Sequence, residues 1–352
     1  MVAVHFNCIN ILAEIYKTIQ IVWCKQFPVS YFIFKNSCKC LMLMVNALQR
    51  FLHRVLYESR RVQVGGVEER RSQVGQSPPA AHLNNVGSRD DQESYRGVAD
   101  RFNVTKSTLA KHLHEFCSLV NVHMAHHISW PVGQTLHKSV LGFEAAGFPN
   151  TVCAVDGCHI RIQKPHCDNP LAYYNRKQFY SVILTGFCDS QRRFTHVCVG
   201  HPGSWHDARA FRLTEVARLL EEDPLSLAPQ GMYMIGDSAY PLLLQLMRPF
   251  RDNGHLTARQ RNFNRKLNSA RVVTEHAFGI LKTKFRRLQC LYMRNVKNIS
   301  SAVSACCILY NICLDPGDQG DEVQDEEDDD PHPPHRDSLD AVHYRYIVCS
   351  NI

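Results

Sequence analysis

Two aspartates and a glutamate stand out by position. Asp156 follows the apolar run Thr151 to Val155 and precedes Gly157, while Asp237 follows Met232 to Ile235 and Gly236. Both are therefore expected at the carboxyl ends of strands, the edge of an open α/β sheet where active sites lie. Glu275 comes 38 residues after Asp237 (275 minus 237), in a helical pattern whose apolar stripe is Val273, Ala277, Ile280, Leu281 and Leu288. It falls off that stripe, and the helical period brings Lys282 and Arg286 onto roughly its own face. Three carboxylates at one edge would suit a pair of Mg²⁺ or Mn²⁺ ions, hard cations that take oxygen ligands and stand about 3.5 to 4 Å apart in phosphoryl-transfer sites. A carboxylate backed by cations is also the mark of a solvated salt-bridge face. The surroundings favour the metal reading. Residues 251–294 hold eleven Lys and Arg against only Asp252 and Glu275, and Lys282, Arg286 and Arg287 in that field would hold phosphates.

The elements that must position these groups read as a mixed sheet covered by helices. Thr151 to Val155 is a buried-strand run, and the alternation of Cys158, Ile160 and Ile162 with polar neighbours reads as a second strand, antiparallel to the first. Tyr180 to Phe187, Phe194 to Val199 and Met232 to Ile235 are further strands, with a helix over Trp205 to Glu222 and two long helices at about 266–290 and 298–314. The expected endonuclease domain is 148–314. Upstream, residues 94–130 form a helix-turn-helix-like segment. Ser94 caps a helix carrying Val98, Ala99 and Phe102, Asn103 and Val104 turn the chain, and Thr105 caps a second helix that buries Leu109, Leu113 and Phe116. Its outward Lys106, Thr108 and Lys111 are candidate DNA contacts, as on a recognition helix. Cys117, His123, His126 and His127 are zinc-ligand types, but they follow no common finger spacing.

Composition bounds the class. A chain of 352 residues that is 45% hydrophobic and 21% charged is globular, with room for about two domains. Residues 1–93 are an apolar stretch and a turn-rich linker without an assigned role. The apolar part, Met1 to Leu52, is interrupted by Glu14, Lys17, Lys25, Lys35 and Lys39, which argues against a membrane span there. An odd count of 15 cysteines, most in apolar runs, suits a reducing compartment. Residues 315–330 carry ten carboxylates and no Lys or Arg, and 315–352 is expected to be an acidic disordered tail. Residues 1–314 hold 38 Lys and Arg against 21 Asp and Glu, a net +17 that points to a polyanionic partner for which the tail would compete.

Five motifs occur in fixed order: Ala154-Val155-Asp156-Gly157-Cys158-His159-Ile160, Tyr174-Asn175-Arg176-Lys177, Pro202-Gly203-Ser204-Trp205-His206-Asp207, Gly236-Asp237-Ser238-Ala239-Tyr240 and Val273-Thr274-Glu275-His276-Ala277-Phe278-Gly279. In these the chain resembles the PIF/Harbinger transposases and the nucleases derived from them, over about residues 94–314. The resemblance implies a ribonuclease-H-like fold and a catalytic, metal-binding triad of Asp156, Asp237 and Glu275. It adds Asp207 as a further metal-binding acid and places Arg176 and Lys177 on the DNA backbone. It also implies nuclear residence and a Myb/SANT-like protein partner. The expected activity is two-metal hydrolysis of DNA. A catalytically idle, domesticated DNA-binding or chromatin adaptor is the alternative, and the oligomeric state is left open.

Overall fold

The structure, a computed structural model, describes residues 105–314 and 337–352. The N-terminal segment, the first helix of the expected pair with its Asn103-Val104 corner, and the acidic run at 315–336 lie outside the described residues. The chain divides into two compact units at Glu115 and Phe116. In the first unit the description covers the start of helix α1 (Lys106–His123), the expected second helix running past residue 120. Lys106 and Lys111 are exposed there, and Lys111 Nζ lies 3.9 Å from Glu115 Oε1. The side chain of Thr108 lies outside the description.

The second unit is built on five strands in the order β3-β2-β1-β4-β5: β1 (Thr151–Arg161), β2 (Ser181–Cys188), β3 (Phe194–Pro202), β4 (Tyr233–Ile235) and β5 (Leu246–Met247). The first three form an antiparallel meander, and β4 and β5 run parallel to β1 and to each other. With helices on both faces this is the ribonuclease-H-like arrangement. One core lies on each side of the sheet, because alternate residues point to opposite faces. Tyr233 and Ile235 join Phe148, Phe263 and Leu267 on one side, while Met234 joins Val155, Phe187 and Phe211 on the other. A sheet buried on both faces needs apolar residues at nearly every position. Hence the continuous runs in β1 and β2.

One expectation is corrected here. No turn separates Asp156 from Cys158; β1 is continuous, and Asp156 sits within it opposite Gly186 of β2. Gly157 is required by a close approach instead of by a turn, since a Cβ there would stand 2.3 Å from Asp207 Oδ1. Gly186 has a similar reason, because a Cβ would come within 3.0 Å of the Phe194 and Phe278 rings.

The helices follow the expected order with shifted ends. After α2 (Gly133–Ala145), the single helix expected over Trp205 to Glu222 is two, α3 (Asp207–Arg212) and α4 (Glu215–Glu222), followed by the short α5 (Pro224–Leu227). Thr214 makes the break, its hydroxyl accepting from Ala217 N as a new N-cap. Helix α6 (Ala258–Lys284) starts earlier than 266 because Thr257 and Gln260 form a reciprocal capping box. Helix α7 (Val296–Cys313) is apolar enough to resemble a membrane span, yet it seats in the core. Its Asn311 accepts from Phe194 N at 2.9 Å and donates to Phe194 O at 2.7 Å, pinning it to β3. Within the segment expected to be disordered, Leu339–Asn351 folds as α8 and buries Ala341, Val348 and Cys349 against the β4 side of the core. Arg248 anchors it through Asp337 at 2.7 Å.

Burial holds the Cys153, Cys188 and Cys307 thiols well above the ordinary value, pushes Cys117 up to about 11, and raises Tyr233 and Tyr240 similarly. In the unfolded chain these groups ionise near their usual values of about 8.5 and 10. Above those values the unfolded state binds fewer protons than the folded state, so stability falls as pH rises. Urea unfolding under reducing conditions should show a stability that drops steadily beyond about pH 9, by up to about 1.4 kcal/mol per pH unit for each such thiol. Stability that held level to about pH 10.5 would contradict this burial.

Candidate active site

Three elements bring three aspartates together. Asp156 comes from the middle of β1, Asp207 from the first position of α3 and Asp237 from the turn after β4. One carboxylate oxygen from each lies within 4.8 Å of the other two. The backbone aims two of them, with Gly157 N donating to Asp156 Oδ1 and Ala239 N donating to Asp237 Oδ1, both at 2.9 Å. Asp207 gains its place from the missing side chain at Gly157. The sequence marks it only as an acid accompanying the family motif, whereas the geometry makes it a full member of the cluster.

Glu275 lines the same cleft but meets it through an arginine. Arg271, one helical turn earlier on α6, directs Nη1 at Asp156 Oδ2 (3.1 Å) and Nη2 at Glu275 Oε1 (3.4 Å). The arginine side chain is 6% exposed and that of Glu275 39% exposed. A buried guanidinium between two acids was legible only as the i, i+4 spacing of Arg271 and Glu275.

The cleft holds about 440 Å³, and its lining includes the three aspartates, Glu275, Arg271, Arg176, Lys177 and Lys282. Of the cations expected to hold phosphate, Arg176, Lys177 and Lys282 are therefore at the site. Arg286 and Arg287 lie in the short turn after α6 and are not among the lining residues, although Gln289 of that turn is. Lys106, Thr108 and Lys111 belong to the other unit. Arg176 Nη2 lies 2.8 Å from His206 Nε2, which ties the 174–177 loop to the residue preceding Asp207. Behind the loop, Asn175 Nδ2 donates to Ser181 Oγ at 3.0 Å, and the same hydroxyl meets His159 Nδ1 at 3.0 Å. This buried network holds Arg176 and Lys177 at the rim.

The residues fit a divalent cation. Clustered carboxylates offer only oxygen acceptors, the donor set of Mg²⁺ and Mn²⁺. Tyr240 supports the fit from below. Its fully buried hydroxyl has no hydrogen-bond partner among the described residues, and its ring is fixed edge-on to Phe211 at 5.5 Å. Desolvation first, then the charges of Asp207, Asp156 and Asp237, hold that phenol well above its ordinary pKa, opposed by Arg271. A neutral donor beside three acceptors suits a site completed by a hydrated cation.

Residues 155–311 match the DDE superfamily endonuclease family. The chain is 29% identical to the Arabidopsis thaliana protein Antagonist of Like Heterochromatin Protein 1 over 250 residues, covering 68% of this chain and 62% of that one. It is 24% identical to the Mus musculus protein named "Putative nuclease HARBI1" over 225 residues, 62% of each. The chain thus spans under two thirds of the length of these curated relatives. Among solved structures, the Mos1 mariner paired end complex with Mn aligns at 11% identity and a TM-score of 0.17, too slight a likeness to bear on the fold.

The contact between Gly157 and Asp207 can be tested alone. In Gly157→Ala the new methyl displaces the Asp207 carboxylate, a side-chain end and not backbone, so the fold survives while the cluster opens. Calorimetric titration with Mn²⁺ should show affinity reduced about tenfold or more, with a near-native unfolding midpoint. Wild-type affinity in this variant would remove Asp207 from the site.

Proposed function

We propose that this protein, a member of the DDE superfamily of endonucleases in its residues 155–311, hydrolyses DNA phosphodiester bonds with Mg²⁺ or Mn²⁺ held by Asp156, Asp207 and Asp237. The observation that carries the reading is the convergence of three carboxylates inside a cleft whose rim is cationic. Acidic clusters repel a polyanion, and a rim of Arg176, Lys177 and Lys282 is what brings one in.

When bound, the divalent ions supply an activated water and stabilise charge at the phosphoryl oxygens. The protein's own residues do the rest. Asp156 and Asp237, each fixed by a backbone N–H, and Asp207, seated over Gly157, form the acidic floor. Arg176, Lys177 and Lys282 hold the strand, fixing the reacting phosphate over that floor and lowering the entropic barrier to attack. Glu275 is a fourth carboxylate in this reading, delivered to the floor when its ion pair with Arg271 opens. Arg271 keeps Asp156 in position meanwhile. The resemblance to the PIF/Harbinger transposases also implies nuclear residence and a Myb/SANT-like partner that helps to deliver DNA.

A second reading follows from the relative named as an antagonist of a heterochromatin protein: a chromatin adaptor that binds DNA without cutting it. Cleavage separates the two. Purified full-length protein should nick plasmid DNA when Mn²⁺ is added, and Asp156→Asn should lose at least about a hundredfold in rate while binding DNA as well or better, having shed a negative charge near phosphate. Glu275→Gln should cut more slowly than wild type. Wild-type protein that binds but never cuts would leave the adaptor reading.

A further inference from the structure

Beside the active-site cleft lies a second concavity that the cleavage reading does not use. It holds about 450 Å³ and is lined by Arg161, Lys164 and Arg294, by Tyr174, Phe179 and Tyr180, and by uncharged residues between them. No carboxylate is among its described lining residues. Arg161 and Phe179 also line the active-site cleft, so the two adjoin.

The groove is built. Tyr174 and Tyr180 bridge across a tight turn closed by Asn175 N to Phe179 O at 2.9 Å, and their rings meet edge-on at 5.1 Å. Tyr174 is nevertheless 42% exposed, an aromatic residue open to solvent in the lining of a cationic hollow. Arg161 lies over the Phe179 ring at 5.2 Å. Arg294 is oriented by Gln163 Oε1 and His166 Nε2, each at 3.2 Å. Cations and aromatic rings together in one groove are the features that track a single strand, the cations on phosphates and the rings on bases. Paired bases in a duplex stack on one another and offer no free face to Tyr174. The volume is enough for a nucleotide or two.

We propose that this groove seats unpaired nucleotides of the DNA strand that continues from the scissile phosphate, with a base stacked at Tyr174 and its phosphates on Lys164 and Arg294. The assignment rests on the endonuclease reading for the direction of the strand, and it narrows the substrate to DNA with an unpaired flank.

The test uses full-length protein in EDTA and fluorescence anisotropy with three probes: a blunt duplex, the same duplex with a short thymidine tail, and the same duplex with an abasic tail. The thymidine tail should raise affinity about tenfold for a stacked base, and the abasic tail clearly less. Tyr174→Ala should lose the gain from the thymidine tail while keeping affinity for the blunt duplex. Arg294→Gln, a second variant independent of the Tyr174 side chain, should weaken both tailed probes. No gain from the tail in wild type, an equal gain from the abasic tail, or a full gain that survives in either variant overturns the groove assignment. Mn²⁺-dependent cutting of the blunt and the thymidine-tailed duplexes is measured alongside. Cutting without a tail effect sinks the groove alone, whereas a Tyr174-dependent tail effect without cutting supports the groove and sinks the endonuclease reading.

Discussion

The structure of the site depends on repulsion among three carboxylates held too close for comfort. Unit charges at 4.8 Å repel by roughly 3 kcal/mol per pair at an effective dielectric near 20. Backbone donors to Asp156 and Asp237 relieve part of this, and Arg271 supplies one buried positive charge. Arg176, Lys177 and Lys282 line the same cleft and add positive charge at its rim. Carboxylates this close favour a bound cation, and that demand is the physical link between the fold and its proposed chemistry.

The sheet is arranged so that the demand can be met at one place. Strand β1 carries Asp156 at its centre, flanked by the β2 strand on one side and β4 on the other, and the turn after β4 delivers Asp237. Two glycines make room at this level. Gly157 admits the Asp207 carboxylate from α3, and Gly186, opposite Asp156, lets Phe278 of α6 pack down on the sheet. That packing sets the depth of α6 and so brings Arg271, two turns before Phe278, to the carboxylates. Loosening α6 would therefore disturb the charge balance of the site before it unfolded the sheet.

Much of this was legible in the residues. Apolar runs marked the strands because a sheet covered on both faces leaves few polar positions, and Gly236-Asp237 marked a strand end correctly. Asp156-Gly157 has the same local form but lies within a strand. The glycine there answers to a side chain that arrives from 50 residues away (207 minus 157), and no local pattern encodes such a contact. Asp207 was visible as an acid without a place for the same reason. The early start of α6 was available in Thr257 and Gln260, yet the polar stretch after them hid the helix behind its few buried positions, Phe263 and Leu267. Arg271 read as one more cation in a basic segment. Only its burial between Asp156 and Glu275 distinguishes it.

The central claim is that Asp156, Asp207 and Asp237 form one divalent-cation site. Anomalous diffraction from crystals of the full chain soaked in Mn²⁺ tests it most directly. The account predicts a peak within coordination distance of all three carboxylates, absent when the soaked crystals are of Asp156→Asn. An ion bound elsewhere, with no anomalous density among these three side chains, would contradict it.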